Sequence, residues 1–151
     1  MVIMNICWYK DDDLAIYFDK EPKISVLYLK PDFKSKQIYK KPFELKEKLR
    51  VQLFDYTSEK EYTFLIPDKY TWDGATIPRF FWRIIGSNTD NRFLIPSLIH
   101  DVLCENHEYV DDDRYFSTLV FERLLYVSRI NPVSRWLMKH SVDNWQKICG
   151  W

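Results

Sequence analysis

Between positions 43 and 53, Phe43, Leu45, Leu49, Val51 and Leu53 fall on alternate positions, with Lys46, Lys48, Arg50 and Gln52 between them and Glu47 interrupting the apolar set. A period of two puts the apolar side chains on one face of an extended strand and the polar ones on the other, so this stretch belongs in a sheet with one dry and one wet face. Upstream, DLAIYF and ISVLYL are short β-branched or aromatic runs separated by the charged, proline-containing DKEPK, and they read as a first hairpin. The turn-like TSEK at 57 to 60 leads into EYTFLIPD and gives a second hairpin. An antiparallel meander of four or five strands over about residues 13 to 70 is expected. The lysine-rich KPDFKSKQIYKKP reads either as a solvated connection shielding a sheet edge or as a basic binding patch.

The pattern changes at TWDGATIPRFFW, where Gly74 permits a sharp turn and Pro78 ends the extended segment, so residues 71 to 90 are expected as a loop. From Asn91 to about Glu105 a helix is expected, with Pro96 near its first turn and Leu98, Ile99, Val102 and Leu103 supplying apolar surface. Asp111, Asp112 and Asp113 suit the start of a second helix, along which Phe116, Val120, Leu124 and Val127 recur at helical spacing. Asn131 as a cap and Pro132 at the first position open a third, through about Ile148, with Val133, Leu137 and Ile148 on one side and Trp136 and Trp145 elsewhere. The fold class is therefore α+β: one domain of 151 residues, with an antiparallel sheet from the N-terminal half packed against three C-terminal helices.

Composition narrows the function classes. Apolar residues make up 46% of the chain and aromatics 17%, which excludes disorder and low-complexity architectures. Only three glycines occur, and Gly74, Gly86 and Gly150 stand far apart, so a phosphate-cradling glycine loop is not expected. With 22 basic and 22 acidic side chains the formal charge is zero, and no nucleic-acid partner is expected. Cys7, Cys104 and Cys149 are odd in number and widely spaced, which suits a reducing compartment rather than a disulfide framework. No run reaches the length of a membrane span, and MVIMNICWYKDDD becomes charged too early for a signal peptide, so cytosolic production is expected.

Chemistry concentrates in Asp73 of WDGATIP, His100-Asp101 of LIHDVL, and Asp113. An ionised Asp101 inside an apolar helix needs a partner, a cleft or a cation. Neighbouring imidazole and carboxylate, joined by acids from the loop and the next helix, would suit one divalent ion such as Zn or Mn, which could activate water. In that reading Asp101 and Asp113 are ligands, His100 a ligand or base, and Asp73 an orienting or third acidic group. The alternative is a structural network: Asp73 closing a turn, Asp113 capping a helix, and His100 oriented by Asp101 or Asp73.

Around this set, Cys104 lies one turn after His100 and is either a soft ligand or a buried, inert thiol. His107 offers a third nitrogen or simply faces the end of its helix. Arg79 and Arg83 beside Phe80, Phe81 and Trp82 form either a binding lip or an anchor for the loop. His140 and Asp143 are spaced as a surface pair. No G-x-S-x-G motif or thiol-protease signature supports nucleophilic acyl transfer.

In the order Leu65-Ile66-Pro67, Asp73 to Pro78, His100-Asp101, and Asp113 with Phe116, the chain resembles the largely phage-encoded family known as domain of unknown function 1353. That pattern runs from a strand with a proline, through a D-G-A-S-I-P loop and a helix carrying L-H-D, to a helix beginning near A-D-x-x-F. Here Thr76 replaces the serine and keeps a hydroxyl, while Val102-Leu103-Cys104 lacks the tyrosine often found after H-D. The resemblance covers about residues 50 to 150, leaves the N-terminal strands outside, and implies viral origin without a reaction. A looser likeness, H-D with a downstream Asp-x-x-Phe, is to phospholipase A2 sites, whose glycine-rich calcium loop this chain lacks. The expectation is a phage-type accessory protein in the host cytoplasm or virion. It is either a metal-dependent hydrolase or a non-enzymatic structural protein binding a phage or host partner.

Overall fold

The computed structural model describes residues 5–26, 43–72 and 91–148. Among these, the strands are β1 (Ile6–Lys10), β2 (Leu14–Phe18), β3 (Ile24–Val26), β4 (Phe43–Leu45), β5 (Leu49–Asp55), β6 (Lys60–Ile66) and β7 (Thr71–Trp72). The α-helices are α1 (Leu94–Glu105), α2 (Arg114–Val127) and α3 (Pro132–Ile148). Short 3-10 turns, Asn91–Phe93 and His107–Val110, precede α1 and join it to α2. Strands fill the first half and helices the second, so the fold is α+β, as the two periodicities require.

The strand partners differ from the expected meander. β2 and β3 do not form a hairpin: β2 lies inside a four-stranded antiparallel sheet of order β1-β2-β5-β6, and β3 belongs to a second sheet of order β3-β4-β7. Register explains the choice. Pairing β2 with β5 sets Ile16 opposite Leu53 and Phe18 opposite Val51, so both strands bury the same face. The sheet also begins earlier than residue 13, because β1 pairs with β2 across a tight turn built on Asp11. The alternating stretch breaks where Glu47 interrupts it, and its two pieces, β4 and β5, enter different sheets.

The β5–β6 hairpin matches expectation, running from Leu49 opposite Ile66 to Asp55 opposite Lys60. Its turn is held by the Asp55 carboxylate, which accepts from the backbone N–H groups of Thr57 and Ser58 and from the Ser58 hydroxyl.

Leu14, Ile16, Phe18, Val51, Leu53 and Phe64 are buried on the inner face of the larger sheet. Against them pack Leu98, Ile99, Val102 and Leu103 of α1, and Phe116, Val120 and Leu124 of α2. Each fully buried side chain of this size contributes roughly 1.5–3 kcal/mol relative to exposure. The other flank of α2, Phe121 and Leu125, forms a second cluster with Phe93, Ile130, Met138 and Val142. The start of α3 is as expected, with Pro132 first and the Asn131 side chain accepting from Ser134 N–H at 2.9 Å. Its buried side is only partly the expected one: Leu137 packs on this second cluster, but Val133 is 63% exposed, and the inward stripe is Ser134, Met138 and Val142, spaced by four. No helix among the described residues is long and apolar enough to cross a membrane.

Candidate functional site

Helix α1 carries the candidate residues on the edge of its buried face. Ser97, in its first turn, accepts from the Trp72 indole N–H at 3.0 Å and donates to the Leu94 carbonyl at 3.0 Å, pinning the end of β7 to the helix. One turn on, the side chains of His100 and Asp101 are 13% and 20% exposed, dry enough to strengthen their interaction yet reached by water. His100 Nδ1 lies 3.6 Å from Asp101 Oδ1, and the imidazole packs on Phe121 of α2 with ring centroids 5.0 Å apart. Cys104 Sγ lies 3.4 Å from His100 Nε2 and 3.8 Å from Nδ1, so the shared face expected from their spacing is present.

Tyr70, in the turn before β7, donates its phenol proton to Glu105 Oε2 at 2.9 Å. Burial pushes that phenol well above the ordinary tyrosine value, and the bond to Glu105 with the charges of Glu105 and Asp101 pushes it further. Beside Tyr70 is a concavity of about 180 Å³, whose lining includes Pro67, Val102, Asn106 and Tyr109. Tyr70 and Glu105 escaped the sequence reading because nothing local links residues 35 positions apart. Only the tyrosine's place after L-I-P pointed towards the loop.

Asp113 occupies a different place. Its Oδ1 accepts from Phe116 N–H at 2.9 Å, capping α2. Asp111 beside it pairs with Lys60 at 3.5 Å. Burial raises the Tyr62 phenol on β6, and Asp111, Asp113 and Asp55 add to the shift. Asp111 and Asp113 thus lie at the Lys60–Tyr62 end of β6, while Asp101 and Glu105 act on Tyr70 beyond its other end. Four residue steps along the strand, about 13 Å, separate Tyr62 from Ile66. His100 and Asp101 are brought together, and the Asp113 carboxylate is engaged as the cap of α2.

Asp73 lies outside the described residues, as do Arg79, Phe80, Phe81, Trp82 and Arg83. His107 opens the 3-10 turn after α1. On α3, His140 packs against Trp136 with centroids 4.4 Å apart, and Asp143 takes Arg114 of α2 as its ion-pair partner.

A catalytic zinc ordinarily uses three protein ligands. Among the described residues no group of three His, Cys, Asp or Glu side chains is arranged to hold a metal ion. The described residues therefore do not complete such a shell. What they do assemble is an acid–base pair, His100 with Asp101, flanked by a thiol and by a phenol–carboxylate pair.

Residues 49–142 match the family described as "Protein of unknown function (DUF1353)". The "Uncharacterized protein y4jT" of Sinorhizobium fredii is similar to this chain, 32% identical over 95 residues, which is 58% of this chain and 26% of that protein. The chain thus spans about a quarter of the length of that relative. No solved structure matches. The matched segment runs from β5 into α3 and includes the helix bearing His100, Asp101 and Cys104, and the chain belongs to the DUF1353 family.

Proposed function

We propose that the protein is a phage-type accessory hydrolase whose reacting centre is His100 backed by Asp101. The observation that carries this reading is the placement of an imidazole and a carboxylate 3.6 Å apart on an apolar helix, both half-buried and both within reach of water. In this reading Asp101, on the Nδ1 side, orients the ring, and Nε2 accepts a proton from the attacking group. Asp73 follows directly after the anchored Trp72 in the chain and is the acid best placed in sequence to join the pair. Asp113 is left out, since its carboxylate caps α2. The phage setting, with a host-cytoplasmic or virion location, draws on the motif pattern.

A scaffold role is the second reading, favoured by the Trp72–Ser97 and Tyr70–Glu105 bonds, which spend polar side chains on tying the β7 region to α1. The two readings part on His100→Gln and Asp101→Asn, checked for fold by circular dichroism and assayed against a panel of carboxylic esters, amides and cell-wall fragments. Loss of a general base is expected to lower turnover by about 10²–10⁴-fold. Wild-type turnover in both folded variants overturns the hydrolase reading, as does a purified protein inert across the panel both with and without added divalent ions.

A further inference from the structure

We propose that Cys104 is the nucleophile of this centre and takes the acyl group of an ester substrate onto its sulfur, a step that rests on the hydrolase reading. His100 has a thiol and a carboxylate beside its ring: Cys104 Sγ lies 3.4 Å from Nε2 and 3.8 Å from Nδ1, and Asp101 Oδ1 lies 3.6 Å from Nδ1. This is the relation of nucleophile, base and orienting acid, and such contacts are commonly longer in an unliganded site than in the reacting complex. The helix enforces it, because positions four apart stand one above the other on one face. Cys104 is partly exposed, unlike Val102 and Leu103 beside it, so the thiol lies at the rim of the core.

With the Nδ1 proton held towards Asp101, Nε2 takes the proton of the Cys104 thiol. The sulfur attacks the carbonyl carbon and forms an S–C bond. The C–O bond to the alcohol then breaks, and the departing oxygen receives the proton from Nε2. A water deprotonated by His100 attacks the thioester, the S–C bond breaks, the carboxylic acid leaves, and the proton returns to sulfur. No electron acceptor or donor is required.

Cys7 is an internal comparison, since it is exposed on β1 and its neighbour is the Tyr17 phenol. In the full-length protein at neutral pH, limiting iodoacetamide followed by peptide mapping is expected to alkylate Cys104 about tenfold faster than Cys7, despite its lower exposure. His100→Gln should remove that advantage and leave the Cys7 rate unchanged. With p-nitrophenyl acetate, the Cys104 peptide should gain one acetyl group, and Cys104→Ala should abolish turnover. Cys104 reacting more slowly than Cys7, with no dependence on His100, overturns the proposal whatever the substrate. Turnover retained in folded Cys104→Ala but lost in His100→Gln overturns the nucleophile and leaves the hydrolase reading standing, whereas turnover retained in both removes the two together.

Discussion

Asp11 accepts four hydrogen bonds, two on each carboxylate oxygen. Asp13 N–H and Leu14 N–H reach Oδ1 at 2.7 and 2.9 Å, and the Tyr9 hydroxyl and Arg123 Nε reach Oδ2 at 2.6 and 2.8 Å. Burial alone would raise its pKa, but these donors outweigh it and hold the carboxyl well below the usual range. The Tyr9 phenol is pushed up to about 12 by burial and by its bond to Asp11. A carboxyl depressed in the folded state binds fewer protons there than in the unfolded chain, so its contribution is complete above the unfolded value of about 4 and is lost as pH falls from there. Urea titrations over a pH series should show Asp11→Asn less stable than wild type at neutral pH, by about 2 kcal/mol, with the gap closing in acid. Parallel curves would refute this account. No local pattern announces the cluster: Arg123 lies 112 residues from Asp11. His100, Asp101 and Cys104 were legible because helical geometry alone fixes how residues one and four apart meet.

Element by element, what the sequence reveals depends on what determines each piece. The Asn131–Pro132 start of α3 and the Asp113 cap of α2 are local chemistry and were readable. The partner of β2 was not, because DKEPK looks like a hairpin connection and only the fit of Ile16 and Phe18 to Leu53 and Val51 shows that it carries the chain between sheets. The buried side of α3 was misread for a similar reason: Ser134 turns inward and Val133 outward, against their polarity. The chain passes from Asp101 to the Asp113 cap through the 3-10 turn His107–Val110 and through Asp111 and Asp112, both at positive φ of 53° and 59°, which turn it before α2 begins. Asp113→Ala is therefore expected to cost about 1 kcal/mol in thermal or urea unfolding, as the loss of a cap does, while leaving any hydrolytic turnover of the folded protein within about twofold. A large loss of turnover at unchanged stability would instead assign Asp113 to the chemistry.

For the molecule as a whole, the family match and the folding unit do not coincide. The match begins at residue 49, yet β2 lies between β1 and β5, and its Leu14, Ile16 and Phe18 are fully buried in the main core. A chain starting at residue 49 should lose the cooperative unfolding of the full protein and expose apolar surface, measurable by dye binding and by the absence of a calorimetric transition. A sharp transition within a few degrees of the full chain would show that the matched segment folds alone.

The Asp11–Arg123 contact also sets a timetable. On the ribosome the N-terminal strands emerge first, but β2 gains its second neighbour only once β5 has been made, and the arginine that locks its turn arrives later still. Such long sequence separation slows folding, and newly made chains must keep Ile16 and Phe18 from sticking to one another until synthesis is nearly finished.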